Sequence, residues 1–192
     1  MSQRVPRPVV FGQSFDSVLA AARAGGGWAF SRLYEGLAPA VAGYLAVQGA
    51  AEPEDLTSEV FQRAFARITS FSGDEARFRS WVFTIAHNLV VDDRRRRGRR
   101  PVTTSAAPDV ADVPGGDVED DALRRLSEER VRRLCDLLVP DQRDVLLLRL
   151  VAGMTLEETA TATGRSTGAV KALQHRAVAA LRRHLEREGV SL

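Results

Sequence analysis

Arginine dominates the chemistry available to this chain. Six arginines fall within the seven residues Arg94–Arg100, and Arg165, Arg176, Arg182 and Arg183 recur near the C-terminus. Guanidinium clusters of this kind hold phosphate, through charge and a fixed fork of donors. The second cluster surrounds a patterned segment. Thr155-Leu156-Glu157-Glu158 is a capping box, in which a hydroxyl and a carboxylate satisfy each other's backbone amides. A short helix to Thr163, a turn at Gly164-Arg165 and a second helix from Ser166 or Thr167 should follow. A helix-turn-helix needs a small residue at the crossing, a glycine in the turn and apolar anchors in the second helix. Ala160, Gly164, Val170 and Leu173 supply them. With Val170 and Leu173 inward, the outer face carries Ser166, Thr167, Lys171, Gln174 and His175, flanked by Arg165 and Arg176. Hydroxyl and cationic groups so placed reach the base edges and phosphates of a major groove.

Other chemistries are not supported. No Ser/His/Asp set, paired catalytic carboxylates or phosphate loop occurs, so no enzyme is expected. His87, His175 and His184 lack cysteine or carboxylate partners at ligand spacing, so no metal, cofactor or small-molecule substrate is expected. Cys135 is the only cysteine and lies in an apolar helical pattern with Val131, Leu134, Leu137 and Leu138. It reads as a buried, inert thiol. No signal peptide is visible, and no apolar run approaches the ~20 residues that span a bilayer. A cytoplasmic location without membrane insertion is the expectation.

The elements that must position these groups read as helices throughout. Phe15, Val18, Leu19 and Ala22 make a first apolar stripe, closed by Gly25-Gly26-Gly27. Phe30, Leu33, Tyr34 and Leu37 make a second, and Pro39 should start or kink a third running to Val47. Glu52-Pro53-Glu54-Asp55 opens another helix, with proline early and carboxylates at the positive dipole end. Leu56, Val60, Phe61, Ala64, Phe65 and Ile68 fall on one face of it, and Asp55, Glu59 and Gln62 on the other. The strongest pattern is Phe78, Trp81, Val82, Ile85, Ala86, Leu89 and Val90, a helix that runs into the first arginine cluster. Helical patterning resumes at Leu123 and Leu126, breaks at Pro140, and continues through Val145, Leu146, Leu148, Leu150 and Val151 to Gly153.

Charge divides the chain. Residues 1–100 carry a net +4, residues 101–121 carry −6 with no base, and residues 122–192 carry +4. The middle segment holds three prolines, two glycines and no apolar period, which reads as a flexible acidic linker. The fold expected is all-α: two small helical domains, 13–100 and 122–192, joined by the linker 101–121, after a flexible arm, 1–12.

Several segments then need one explanation: Phe30-Ser31-Arg32-Leu33-Tyr34, Asp55-Leu56-Thr57-Ser58-Glu59-Val60-Phe61, Phe78-Arg79-Ser80-Trp81 through His87-Asn88, Leu138-Val139-Pro140, and Gly168-Ala169-Val170-Lys171 through His175-Arg176-Ala177. In this order they resemble the extracytoplasmic-function sigma factors of bacterial RNA polymerase, from about residue 15 to 185. The resemblance implies a region 2 helical bundle and a region 4 helix-turn-helix. It implies that Asp55, Leu56, Glu59 and Gln62 meet the coiled coil of the polymerase's largest subunit. It implies that Arg79, Trp81, His87, Asn88, Arg94, Arg95, Arg96 and Arg97 bind the −10 promoter element, with Asn88 lining a pocket for a flipped base. Flipping costs a few kcal/mol, which amide hydrogen bonds, stacking and cationic groups offset. Arg165, Ser166, Thr167, Lys171, Gln174, His175 and Arg176 would bind the −35 element. The polymerase flap and an anti-sigma factor are further partners it implies. In one place the chain departs from the family: Ala172-Leu173 stands where many members carry Ser-Arg, which puts the −35 sequence in doubt.

Elements about 17 base pairs apart lie roughly 60 Å apart along B-DNA. A relaxed 21-residue linker spans about 25 Å and an extended one about 70 Å, so it must run nearly extended when both elements are held. The alternative is a free-standing two-domain DNA-binding regulator, which has no need of the acidic face or of the Trp81–Asn88 segment.

Overall fold

The computed structural model describes residues 11, 14–98 and 129–189, and every described element is helical. The linker, most of the N-terminal arm, Arg99, Arg100, Leu123 and Leu126 lie outside the described residues. In chain order the helices are α1 (Phe15–Arg23), α2 (Gly27–Val47), α3 (Pro53–Phe65), a 3-10 turn (Ile68–Ser70) and α4 (Glu75–Gly98). After the linker come α5 (129–136), α6 (Pro140–Leu150), α7 (Leu156–Thr163) and α8 (Thr167–Arg187).

The apolar stripes meet in one core. Phe15, Val18, Leu19 and Ala22 of α1 pack with Leu33, Leu37, Val41 and Leu45 of α2, Val60 and Phe61 of α3, and Phe78, Val82, Phe83, Ala86, Leu89 and Val90 of α4. Aromatic pairs fasten the joints: Tyr34 on Phe61 and Phe30 on Phe65, each at 4.8 Å between centroids, bind α2 to α3. Phe15 on Phe78 at 5.6 Å binds α1 to α4. Tilted pairs at these separations add to the area they bury.

Three readings of the sequence are adjusted. Pro39 does not start a separate helix, because α2 runs continuously through it. Its neighbours Leu37, Ala38 and Val41 are buried while Pro39 and Glu35 face outward, so the carbonyl that loses its partner is at the wet surface. Phe11, assigned to the loose arm, is buried and forms a tilted pair with Phe15 at 5.9 Å, its N–H donating to Glu75 Oε1 at 3.2 Å. Within the α5 pattern only Cys135 and Leu138 are buried, whereas Val131 and Leu137 are exposed.

The C-terminal helices do not stand apart from the first four. Cys135, Leu147, Leu148, Ala152 and Met154 belong to the same core as α1–α4. Two smaller clusters are confined to the C-terminal half: Val145, Ala160, Val170 and Leu173, and Leu138, Leu146 and Ala177.

Candidate nucleic-acid interface

The helix-turn-helix forms from its own sequence. The Glu158 amide donates to Thr155 Oγ1 at 3.1 Å and the Thr155 amide donates to Glu158 Oε2 at 2.6 Å, closing the capping box. Gly164 ends α7 at φ 64, ψ 31, a left-handed conformation that a side chain would strain. The Arg165 amide then reaches back to Ala160 O at 2.9 Å. Ser166 caps α8, its hydroxyl accepting from the Ala169 amide at 3.2 Å. The buried cluster of Val145, Ala160, Val170 and Leu173 fixes the crossing of α7 and α8 against α6.

That anchoring decides which side chains α8 offers. Ser166, Thr167, Lys171, His175 and Arg176 are exposed, together with Ala172. Arg165 is exposed but paired with Asp141 at 2.7 Å. Gln174 is half-buried, its Oε1 accepting from Arg149 Nε at 3.3 Å. Arg182 and Arg183 continue the cationic edge.

Helix α4 is more divided. Asn88 is exposed, as are Arg95, Arg96 and Arg97. Trp81 is half-buried and stacked on Phe71, centroids 5.0 Å apart and planes at 24°. Phe71, its partner, lies outside α4 and carries no periodic signal that would link the two. Arg97 donates to Gly49 O at 2.6 Å and pairs with Asp93 at 2.8 Å, which fixes the middle of the cationic run against the α2–α3 turn.

Three further residues of the α4 set are occupied by the protein itself. Arg79 is 6% exposed, lies over the Phe83 ring at 5.2 Å, and donates to Val151 O at 2.7 Å. Burial lowers its pKa, yet a guanidinium keeps its charge even so. Arg94 Nη2 lies 3.0 and 3.2 Å from the two carboxylate oxygens of Asp144. His87 is 5% exposed and ends a buried chain in which Gln48 Nε2 donates to Tyr44 Oη at 3.2 Å and Tyr44 Oη meets His87 Nδ1 at 3.1 Å. Burial holds His87 below the usual histidine range and pushes the Tyr44 phenol well above the usual tyrosine range.

Asp144 and Arg143, which sequence reading passed over, make the joint between the halves. Asp144 is a buried acid at the edge of the apolar run of α6, and a carboxylate leaves water only with a partner. Arg143 reaches Cys135 O at 2.9 Å and Val47 O at 3.5 Å, crossing from α6 to α2. The Cys135 thiol has its pKa raised by burial.

The acidic face of α3 is separate. Asp55 and Gln62 are exposed, and Glu59 is half-buried and paired with Arg63 at 2.5 Å. Leu56 is 8% exposed and turned into the core, so it supports the face from beneath. A hydrogen bond and repulsion from Asp55 raise the pKa of the Glu52 carboxyl, which marks how dense the negative charge is at this helix start. Among the described residues no three metal-ligating side chains come together, and no helix is long and apolar enough to cross a membrane.

Two family models match the chain. The family model for Sigma-70 region 2 matches residues 32–100, and that for Sigma-70, region 4 matches residues 136–183. The ECF RNA polymerase sigma factor BldN of Streptomyces coelicolor is 40% identical over 167 residues, 85% of this chain. This chain spans 63% of the length of BldN. The ECF RNA polymerase sigma factor SigD of Mycobacterium tuberculosis is 31% identical over 184 residues, 92% of this chain and 86% of that protein. Among solved structures, CnrH in complex with the cytosolic domain of CnrY shares the fold at TM-score 0.64 and 24% identity, over 91% of this chain and 99% of that one. RpoE of Bartonella quintana, solved with the anti-sigma factor NepR, shares it at TM-score 0.61 and 24% identity, over 82% of this chain and 96% of that one.

Proposed function

This chain belongs to the extracytoplasmic-function sigma factors of bacterial RNA polymerase, and from that premise we propose how its surfaces divide promoter recognition and strand opening. The observation that carries the reading is the face of α8: Ser166, Thr167, Lys171, His175 and Arg176 exposed on a helix pinned by Val170, Leu173 and Ala177. That face enters the major groove of the −35 element, with Arg165 and Gln174 at its margins. Asn88, Trp81 and Arg95–Arg97 take the −10 element, where a stacked aromatic and a cationic edge suit unpaired bases. The outer face of α3, with Asp55, Glu59 and Gln62, docks on core polymerase, and the C-terminal half meets the flap. The chain is not an enzyme and works in the cytoplasm beside the polymerase. An anti-sigma factor, of the kind solved with RpoE, is a proposed partner.

In this reading the packed arrangement has to open. A compact body of about 150 residues is roughly 40 Å across, shorter than the roughly 60 Å between the two promoter elements. Arg79 and Arg94 also reach DNA only after Val151 O and Asp144 let go of them, and His87 only after it leaves Tyr44. The test is run-off transcription with core polymerase on fragmented genomic DNA. Start sites that appear only with this chain support the reading. No initiation above core alone would sink it.

A further inference from the structure

Arg149 is a cation inside the helix-turn-helix unit. It lies on α6 among Val145, Leu146, Leu147 and Leu148, and is 8% exposed. A buried charge is tolerated only where acceptors surround it. Arg149 finds them at the entry to the motif and on its second helix: Nη1 donates to the carbonyl of Met154, just before the α7 cap, and Nε donates to Gln174 Oε1 on α8 at 3.3 Å. A guanidinium has donors only, so the atom of Gln174 that faces it must be the oxygen. With Oε1 given to Arg149, the NH2 group is the part of the Gln174 carboxamide left to meet a ligand.

We propose that Arg149 is a positioning residue for DNA recognition: by holding Gln174 Oε1 inward, it makes Gln174 a donor-only group whose amide meets a phosphate oxygen of the −35 strand. Bidentate pairing with adenine needs the amide oxygen and nitrogen both turned to the base, and Arg149 prevents that. The half-buried position of Gln174, on the flank of α8 and away from its exposed crest of Lys171, Ala172 and His175, favours the backbone over the groove floor. This inference rests on the −35 reading of α8 given above.

The experiment uses the full chain with core polymerase on a promoter duplex, with affinity measured across a salt series and base preference measured on a library randomised at the −35 element. Arg149→Met and Gln174→Ala should each weaken binding about ten- to a hundredfold, the size of one hydrogen bond to a charged group. The double variant should lose no more than either single one. A neutral amide displaces no counterion, so the salt slope and the base preference should stay as in the wild type. Arg149→Lys, which keeps a donor, should recover part of the loss. Gln174→Glu keeps an acceptor for Arg149 and removes the donors, so it should fold normally and still bind weakly. That variant tests the proposal even if Arg149→Met does not fold.

Four results would overturn the proposal. These are additive losses in the double variant, a salt slope reduced by about one in Arg149→Met, which would place Arg149 itself on phosphate, a changed preference at one base position, and wild-type binding by Gln174→Glu. If the wild-type holoenzyme bound no promoter at all, the −35 reading would fall first, a result distinct from these four.

Discussion

Asn88 and His87 are adjacent in sequence and opposite in surroundings: Asn88 is exposed on α4, and His87 is buried against Tyr44 and the C-terminal half. Asn88→Ala should therefore slow strand opening while leaving duplex binding nearly intact. Permanganate footprinting beside a gel-shift titration measures the two, and equal loss of both would contradict the pocket role. His87 carries a pH dependence. Its folded-state pKa is depressed, so below the ordinary value of about 6.5 the unfolded chain takes up a proton that the folded chain resists. Stability is thus full at neutral pH and lost as pH falls from about 6.5 toward the depressed value. Asp144 opposes this depression, and Arg94 and Arg165 reinforce it. Melting temperatures at pH 7.5 and 5.5 should differ by several degrees in the wild type and by less in His87→Gln. An equal difference in both would assign the effect to other groups.

Helix α4 shows why periodicity was so informative at the scale of elements. Phe78, Val82, Ala86, Leu89 and Val90 of its stripe were legible from their spacing, whereas Trp81 and Ile85 are only half-buried. Arg79, Ser80, Phe83 and His87, off the stripe, are buried as well, because α4 is covered on more than one side. Signals with a local mechanism were equally legible: the capping box at Thr155, the left-handed Gly164 and the cap at Ser166 depend on residues a turn apart. Where a pattern was short or interrupted, packing decided instead. Pro39 was overruled by the apolar residues on both sides of it in α2. Val131 and Leu137 kept their helical spacing but found nothing to cover them. The capping box gives a direct test. Thr155→Ala removes one acceptor for an otherwise unpaired amide and should cost about 1 kcal/mol. A drop of roughly 3 °C in melting temperature is expected for a chain of this size. An unchanged melt would mean that tertiary contacts alone hold the start of α7.

For the molecule as a whole, the shared core and the Arg94–Asp144 pair describe a closed chain. In it, part of the proposed DNA surface is spent on internal contacts. Asp144 is the residue to perturb, because α4 keeps all its own groups when it is changed. Asp144→Ala should shift the free protein toward open forms. Its radius of gyration by small-angle scattering should exceed the wild type's, and its affinity for a single-stranded −10 oligonucleotide should rise several-fold. An unchanged radius with unchanged affinity would show that the apolar contacts of Leu147, Leu148, Ala152 and Met154 hold the halves together without the ion pair.

By itself, then, the sequence determined the helices, their buried stripes, the helix-turn-helix and the order of segments that identifies the family. Each of those rests on residues within a few turns of one another, where spacing is enough. The arginines were legible as phosphate-binding groups, but their present partners were not. Arg79 meets Val151 O from 72 residues away and Arg94 meets Asp144 from 50 residues away. Only the tertiary structure could decide which guanidinium groups face water, because a charge leaves solvent only when distant parts of the chain bring it an acceptor.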